Sequence, residues 1–201
     1  MTKLKRYIYG AAGTLAAFSM VMSPAMVSAV TDGTTVEATV GSTISMSNTT
    51  STVSVSLSPG GSAVESVGSD VVSVSTNDTD GYTLDVAASD ATRNLTAGAN
   101  TIVPTAAATP AAATTLTTNS WGWCVVGLGA CSASYSVTND QAAGASGNWI
   151  AMPASGSAIQ VKSTSTTASN DTTTFYYGVN VNSTKPTGTY TDAVTYTALV
   201  K

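Results

Sequence analysis

Apolar side chains that return at every second position, between short clusters of Gly, Pro, Asn and Asp, restrict most of this chain to β-strands. Val36, Ala38 and Val40 alternate with polar residues, and Ile44 and Met46 follow. Val53, Val55 and Leu57 repeat the pattern before Pro59-Gly60-Gly61, and Val72 and Val74 repeat it before Asn77-Asp78-Thr79-Asp80-Gly81. Tyr82, Leu84 and Val86 come next, then Ile159 and Val161, then Phe175, Tyr177, Val179 and Val181. After Lys185-Pro186-Thr187-Gly188, the last segment places Tyr190, Val194, Tyr196, Ala198 and Val200 on one face. A period of two with one apolar face marks half-buried strands, and seven or more of them joined by turn residues mark an antiparallel arrangement. Thr and Val, both β-branched, are abundant, whereas the usual helix builders are scarce. The expected fold is all-β: an antiparallel β-sandwich of the Ig-like, Greek-key type.

The N-terminus reads differently. Lys3, Lys5 and Arg6 precede an apolar stretch from Tyr7 to Met22, Pro24 follows, and Val27-Ser28-Ala29 offers small residues at a cleavage point. That order is the grammar of a secretory signal peptide spanning 1–29, and residues 30–201 then form the exported domain. The apolar stretch is shorter than the roughly 20 residues of a spanning helix, so no membrane span is expected after cleavage. Three of the seven basic residues leave with the signal and all eleven acids stay, so four cations face eleven anions. The remaining cations, Arg93, Lys162, Lys185 and Lys201, are scattered. Nucleic acid needs a clustered basic footprint, and anionic lipid needs a polybasic segment. Neither partner is expected.

Residues 97–149 break the pattern. Ala, Thr and Pro dominate as far as Thr118, and all three tryptophans, Trp121, Trp123 and Trp149, lie within about thirty residues. We read 97–149 as an irregular, loop-rich insertion. Cys124 and Cys131 enclose Gly127 and Gly129, and in an exported chain they are expected to form a disulfide that clamps this insertion. The tryptophans are candidate ligand-contact aromatics or caps on the open end of the core.

The chain has no histidine, which removes the usual base of Ser and Cys hydrolases and leaves two cysteines as a poor zinc site. Asp78-Thr79-Asp80-Gly81 fails as a calcium loop, because the position that needs a bidentate Glu holds Ala87. It reads as a hairpin turn with Gly81 at positive φ. No catalytic residue, metal or cofactor is expected, and the protein is read as non-enzymatic.

Two stretches resemble a known family. Gly81-Tyr82-Thr83-Leu84-Asp85-Val86 and Gly188-Thr189-Tyr190-Thr191-Asp192-Ala193-Val194-Thr195-Tyr196-Thr197 are similar to the two signature strands of WxL-type surface domains. Tyr82 and Tyr196 stand where that family has tryptophan, and Leu84 and Tyr190 occupy its other motif positions. The resemblance implies a β-rich exported protein held non-covalently on the bacterial cell wall, with peptidoglycan or another wall polysaccharide as ligand. The C-terminal pattern is also similar to the last strand of spore-coat-U-like and fimbrial pilin subunits, with Asp192 fitting that pattern better. This second resemblance implies a homopolymer, or assembly with other surface proteins, by β-strand complementation, for which Val36 to Val40 could be the donor. The protein recovered from culture medium is expected to begin at Val30. An intact mass that retained residues 1–29 would instead mean an uncleaved anchor.

Overall fold

The structure, a computed structural model, describes residues 33–201, so the signal-peptide reading falls outside the described residues. The chain divides into two compact units, Met1–Thr39 and Val40–Lys201. In the first, residues 33–39 form no strand and are exposed. The expected first strand over Val36–Val40 is therefore absent: Val36 and Val40 are 89% and 83% exposed, with no ladder partner among the described residues. Alternation supplies a face to bury, but a strand also needs a neighbour for its backbone groups.

The second unit is almost entirely β. Its strands are β1 (Ile44–Asn48), β2 (Val64–Thr76), β3 (Tyr82–Ala88), β4 (Leu95–Ala97), β5 (Asn100–Pro104), β6 (Ser120–Val125), β7 (Thr138–Ala142), β8 (Ile159–Ser163), β9 (Ala168–Val181) and β10 (Val194–Val200). Pro110–Ala112 forms a single helical turn. Seven strands make one sheet in the order β1-β2-β9-β6-β5-β4, with β7 added to β2, and three make another in the order β10-β3-β8. All pairs are antiparallel except β5 with β6. The turn at 77–81 thus carries the chain from one sheet to the other and is not a hairpin; β2 and β3 do not pair. Gly81 does hold φ at +85°, and its N–H donates to the Asp78 carbonyl.

The core lies between the sheets. Phe175 and Tyr177 of β9 meet Tyr196 of β10, the Phe175 and Tyr196 rings 4.6 Å apart, and Trp123 of β6 stacks on Phe175 at 6.0 Å. Val72, Val74, Leu84 and Val86 are buried beside them. Asp70 of β2 crosses this layer. Its carboxyl accepts from the Asn48 amide, the Thr49 hydroxyl, the Thr50 backbone N–H and the Tyr196 hydroxyl.

Segment 97–149 is not an insertion outside the sheet. β5, β6 and β7 belong to the seven-stranded sheet, and β6 pairs with β9 from Ser120↔Asn180 to Val125↔Phe175. The residues after β6 return over the outer face of the same sheet. Gly122 and Gly178 are directly paired there, and the Trp149 side chain lies on both. A Cβ at Gly178 would stand 2.6 Å from the indole, and one at Gly122 would stand 2.9 Å from the Trp149 Cβ. Tyr135 packs against Trp149 at 4.9 Å and Tyr176 at 5.0 Å, extending the cover. The expected disulfide joins Cys124 to Cys131 with Cα atoms 6.0 Å apart, both side chains buried.

Val53, Val55 and Leu57 are half-buried and alternate with exposed neighbours, yet form no ladder. Val53 and Val55 lie over Gly68 of β2, where a Cβ would meet them at 2.5 and 3.1 Å. Gly178→Ala should destabilise the fold by about 1–3 kcal/mol, since a methyl group enters a filled slot. Denaturant unfolding followed by tryptophan fluorescence measures it, and an unchanged midpoint would show that the indole does not bear on the glycine.

Candidate functional site

The residues singled out from the sequence fall into separate places. Trp121, Trp123 and Trp149 are 2%, 0% and 0% exposed, so none presents a ring to a ligand. The reason is local. Trp121 and Trp123 alternate toward the inter-sheet core, whereas Trp149 is drawn onto the Gly122–Gly178 slot. Two of the indoles are also tied by hydrogen bonds, Trp121 Nε1 donating to the Arg93 carbonyl and Trp123 Nε1 to the Ala151 carbonyl.

Tyr82, Leu84 and Tyr196 come together on β3 and β10, which are neighbours in the smaller sheet with Tyr196 opposite Val86 and Val200 opposite Tyr82. Their side chains point into the core. The Tyr82 hydroxyl donates to Asp171 at 2.9 Å, and Asp171 also pairs with Lys162 at 2.5 Å. Burial, then the neighbouring Asp171, pushes the Tyr82 hydroxyl above its ordinary range. Burial alone would raise Asp171, but Lys162 and Tyr82 outweigh it and hold its carboxyl below the usual value. The Tyr196 hydroxyl shares a hydrogen bond of 2.6 Å with that of Tyr177 and meets Asp70 at 3.2 Å. Burial is the main reason that both titrate above the ordinary tyrosine range. Tyr190 lies outside β10, its hydroxyl donating to the Pro186 carbonyl.

A polar row that periodicity gave no reason to expect crosses the larger sheet. Gln141, Glu65, Asn180 and Ser120 stand side by side on β7, β2, β9 and β6. Glu65, Asn180 and Ser120 are buried. Glu65 Oε2 accepts from the Gly144 backbone N–H at 2.7 Å, whereas its Oε1, Gln141 Nε2, Asn180 Oδ1 and Trp149 Nε1 have no hydrogen-bond partner. Burial raises the Glu65 carboxyl. The Gly144 N–H and the Trp149 indole oppose that rise, the indole without a bond of standard geometry. Asp192 is raised as well, chiefly by burial, with Asp90 adding to it against the N–H of Ala193.

Three further carboxyls serve the backbone. Asp78, Asp90 and Asp140 accept from the N–H groups of Asp80, Thr92 and Ser58. Among the described residues no three acids or cysteines cluster as a metal site, and no helix is long and apolar enough to cross a membrane. A wide cleft of about 570 Å3 opens beside Arg93, between the 91–94 turn, β5 and residues 105–108. No family model, curated protein or solved structure matches the chain.

Of the three perturbed acids, Glu65 and Asp171 titrate with opposite consequences. Raised Glu65 costs stability as pH climbs through its unfolded value, about 4.3, because only the unfolded chain ionises freely. Lowered Asp171 contributes stability above its unfolded value, about 3.9, which is lost as pH falls below it. Glu65→Gln should therefore be more stable than wild type at neutral pH, with the difference vanishing below about pH 4. Denaturant midpoints of the two proteins across pH test this, and parallel profiles would mean that Glu65 carries no burial penalty.

Proposed function

We propose that this is an exported, non-enzymatic module of the bacterial surface, an Ig-like β-sandwich that binds cell-wall peptidoglycan without a covalent link. The observation that carries the reading is the pairing of β3 with β10. The two segments that resemble the WxL signature lie more than a hundred residues apart in the chain. They meet as antiparallel neighbours, with Tyr82 and Tyr196 both committed to the core. Large aromatics at those positions then serve to build a platform, and tyrosine does this by adding hydroxyl contacts to Asp171 and Asp70. The use of most carboxyls as backbone acceptors or buried braces also suits a scaffold rather than an acid–base centre.

One observation favours a second reading, a structural subunit joined to its copies by strand complementation. Val36, Ala38 and Val40 carry a strand's alternation and occupy no strand. A segment of that kind could complete its pairing on another sheet edge.

Secreted protein spun with purified sacculi, and viewed by electron microscopy without them, separates the two. A pelleted fraction that saturates with added sacculi, from protein that stays monomeric alone, is the expected result. Regular filaments that fail to bind sacculi, and that vanish when residues 30–43 are deleted, would replace the wall reading with the subunit.

A further inference from the structure

We propose that the cleft beside Arg93 is a binding site for the free carboxyl terminus of a peptide with small side chains. Four cations remain beyond residue 29, and the three lysines are engaged. Lys162 pairs with Asp171, Lys185 Nζ donates to the Thr101 carbonyl at 2.5 Å, and Lys201 Nζ donates to the Thr164 carbonyl at 2.9 Å. Arg93 differs. Its guanidinium makes one long contact, Nη1 to the Met152 carbonyl at 3.5 Å, and no carboxylate stands within 4.0 Å among the described residues. Most of its five N–H donors are free for a ligand.

Its backbone is nevertheless held in place. The Arg93 carbonyl accepts from Trp121 Nε1 at 2.8 Å, so the backbone that carries the guanidinium is tied to the core. The cleft has a volume within the range of sites for small ligands. Its wall includes Ala106, Ala108 and Ala151, with Asn94 and Thr105 as polar groups. Thr105 lines the cleft but is 3% exposed, and its unpartnered Oγ1 is closed to solvent.

These features select chemistry. A guanidinium with a free edge binds a carboxylate through two parallel hydrogen bonds. Alanine walls leave apolar space for small side chains next to that carboxylate. Asp90, close by in sequence, is held in a turn by the N–H and hydroxyl of Thr92 at 2.8 and 2.9 Å. Its negative charge means that recognition must come from paired hydrogen bonds rather than from a positive field. The source of such a peptide, a wall stem or a protein end, rests on the wall reading; the chemistry rests on the cleft alone.

Nuclear magnetic resonance titration of the secreted protein tests the site. The probes are N-acetyl-D-alanyl-D-alanine, N-acetyl-L-alanyl-L-alanine, the carboxyl-terminal amide of each, and glucuronate. The expected result is saturable shifts confined to residues 91–94, 103–108 and 151, with one peptide acid binding at least about tenfold more tightly than its amide. Preference for the D,D acid indicates a wall source, and preference for the L,L acid a protein end. Arg93→Gln should lose about tenfold, and Arg93→Lys should keep part of the affinity. Should Arg93→Gln fail to fold, the acid-against-amide comparison on wild type decides. Equal binding of acid and amide, shifts mapping elsewhere, or binding of glucuronate without either peptide would overturn the proposal. Binding of the D,D acid without sacculus binding would retire the wall reading and leave the cleft. Sacculus binding with no response to any acid would do the reverse.

Discussion

The fold depends on a carboxyl group placed almost out of reach of water. Asp70 is 2% exposed, and a buried polar group of this kind costs several kcal/mol unless its hydrogen bonds are met. Here four donors converge on it, two per oxygen. They come from β1 and the residues just after it, and from β10 in the other sheet. The Tyr196 hydroxyl then passes the network to Tyr177 on β9. One group thereby sets the spacing of the two sheets and the path of the chain at 48–50. Loss of any donor would leave a buried acceptor unmet, so the arrangement specifies one packing more sharply than an apolar contact could.

The outer face of the larger sheet is settled by a shape match instead. Gly122 and Gly178 face each other across β6 and β9, and neither has a side chain to resist Trp149. The indole is held from its other side by Tyr135, whose hydroxyl donates to the Asn148 carbonyl and accepts from the Ser132 N–H. The Cys124–Cys131 disulfide returns the chain to the start of this cover after one tight loop. A seven-residue separation closes a small loop, worth roughly 2–3 kcal/mol by chain entropy. Its main service is positional. It delivers residues 132–149 to the face where the two glycines wait.

The strands most legible in the sequence are those with one wet face. β3 and β10 alternate cleanly because only one side of the smaller sheet meets the core; β9 alternates too, although residues 177–181 are buried on both faces. β6 was hidden because Ser-Trp-Gly-Trp-Cys is buried on both faces, and a two-sided strand has no polar phase to alternate with. Val36–Val40 shows the converse, a pattern without a partner, and Val53–Leu57 shows alternation satisfied by packing on Gly68 without a ladder. The cysteine pairing is expected from the short spacing and from the signal-peptide reading, and the disulfide is present. The burial of the tryptophans did not follow in that way, since it turns on glycines that are distant in sequence. Nor did the Arg93 cleft, because the carbonyls and small side chains that form it come from three separate stretches.

With only 9% of its residues charged, the chain must wet its outer faces by other means. Hydroxyls supply most of that polarity. Ser47, Ser73 and Thr172 form one row across β1, β2 and β9, and Ser75 exchanges hydrogen bonds with Asn170 nearby. Thr suits this task because the residue that favours a strand also hydrates its surface. Neutral polarity has a further consequence for recognition. The few charges that remain are mostly acidic, four cations against eleven anions beyond residue 29, so the long-range field repels an anionic partner rather than drawing it in. Contact must be made by local donors, and the Arg93 guanidinium, with no carboxylate within 4.0 Å among the described residues and its backbone carbonyl bonded to Trp121, is a group of that kind.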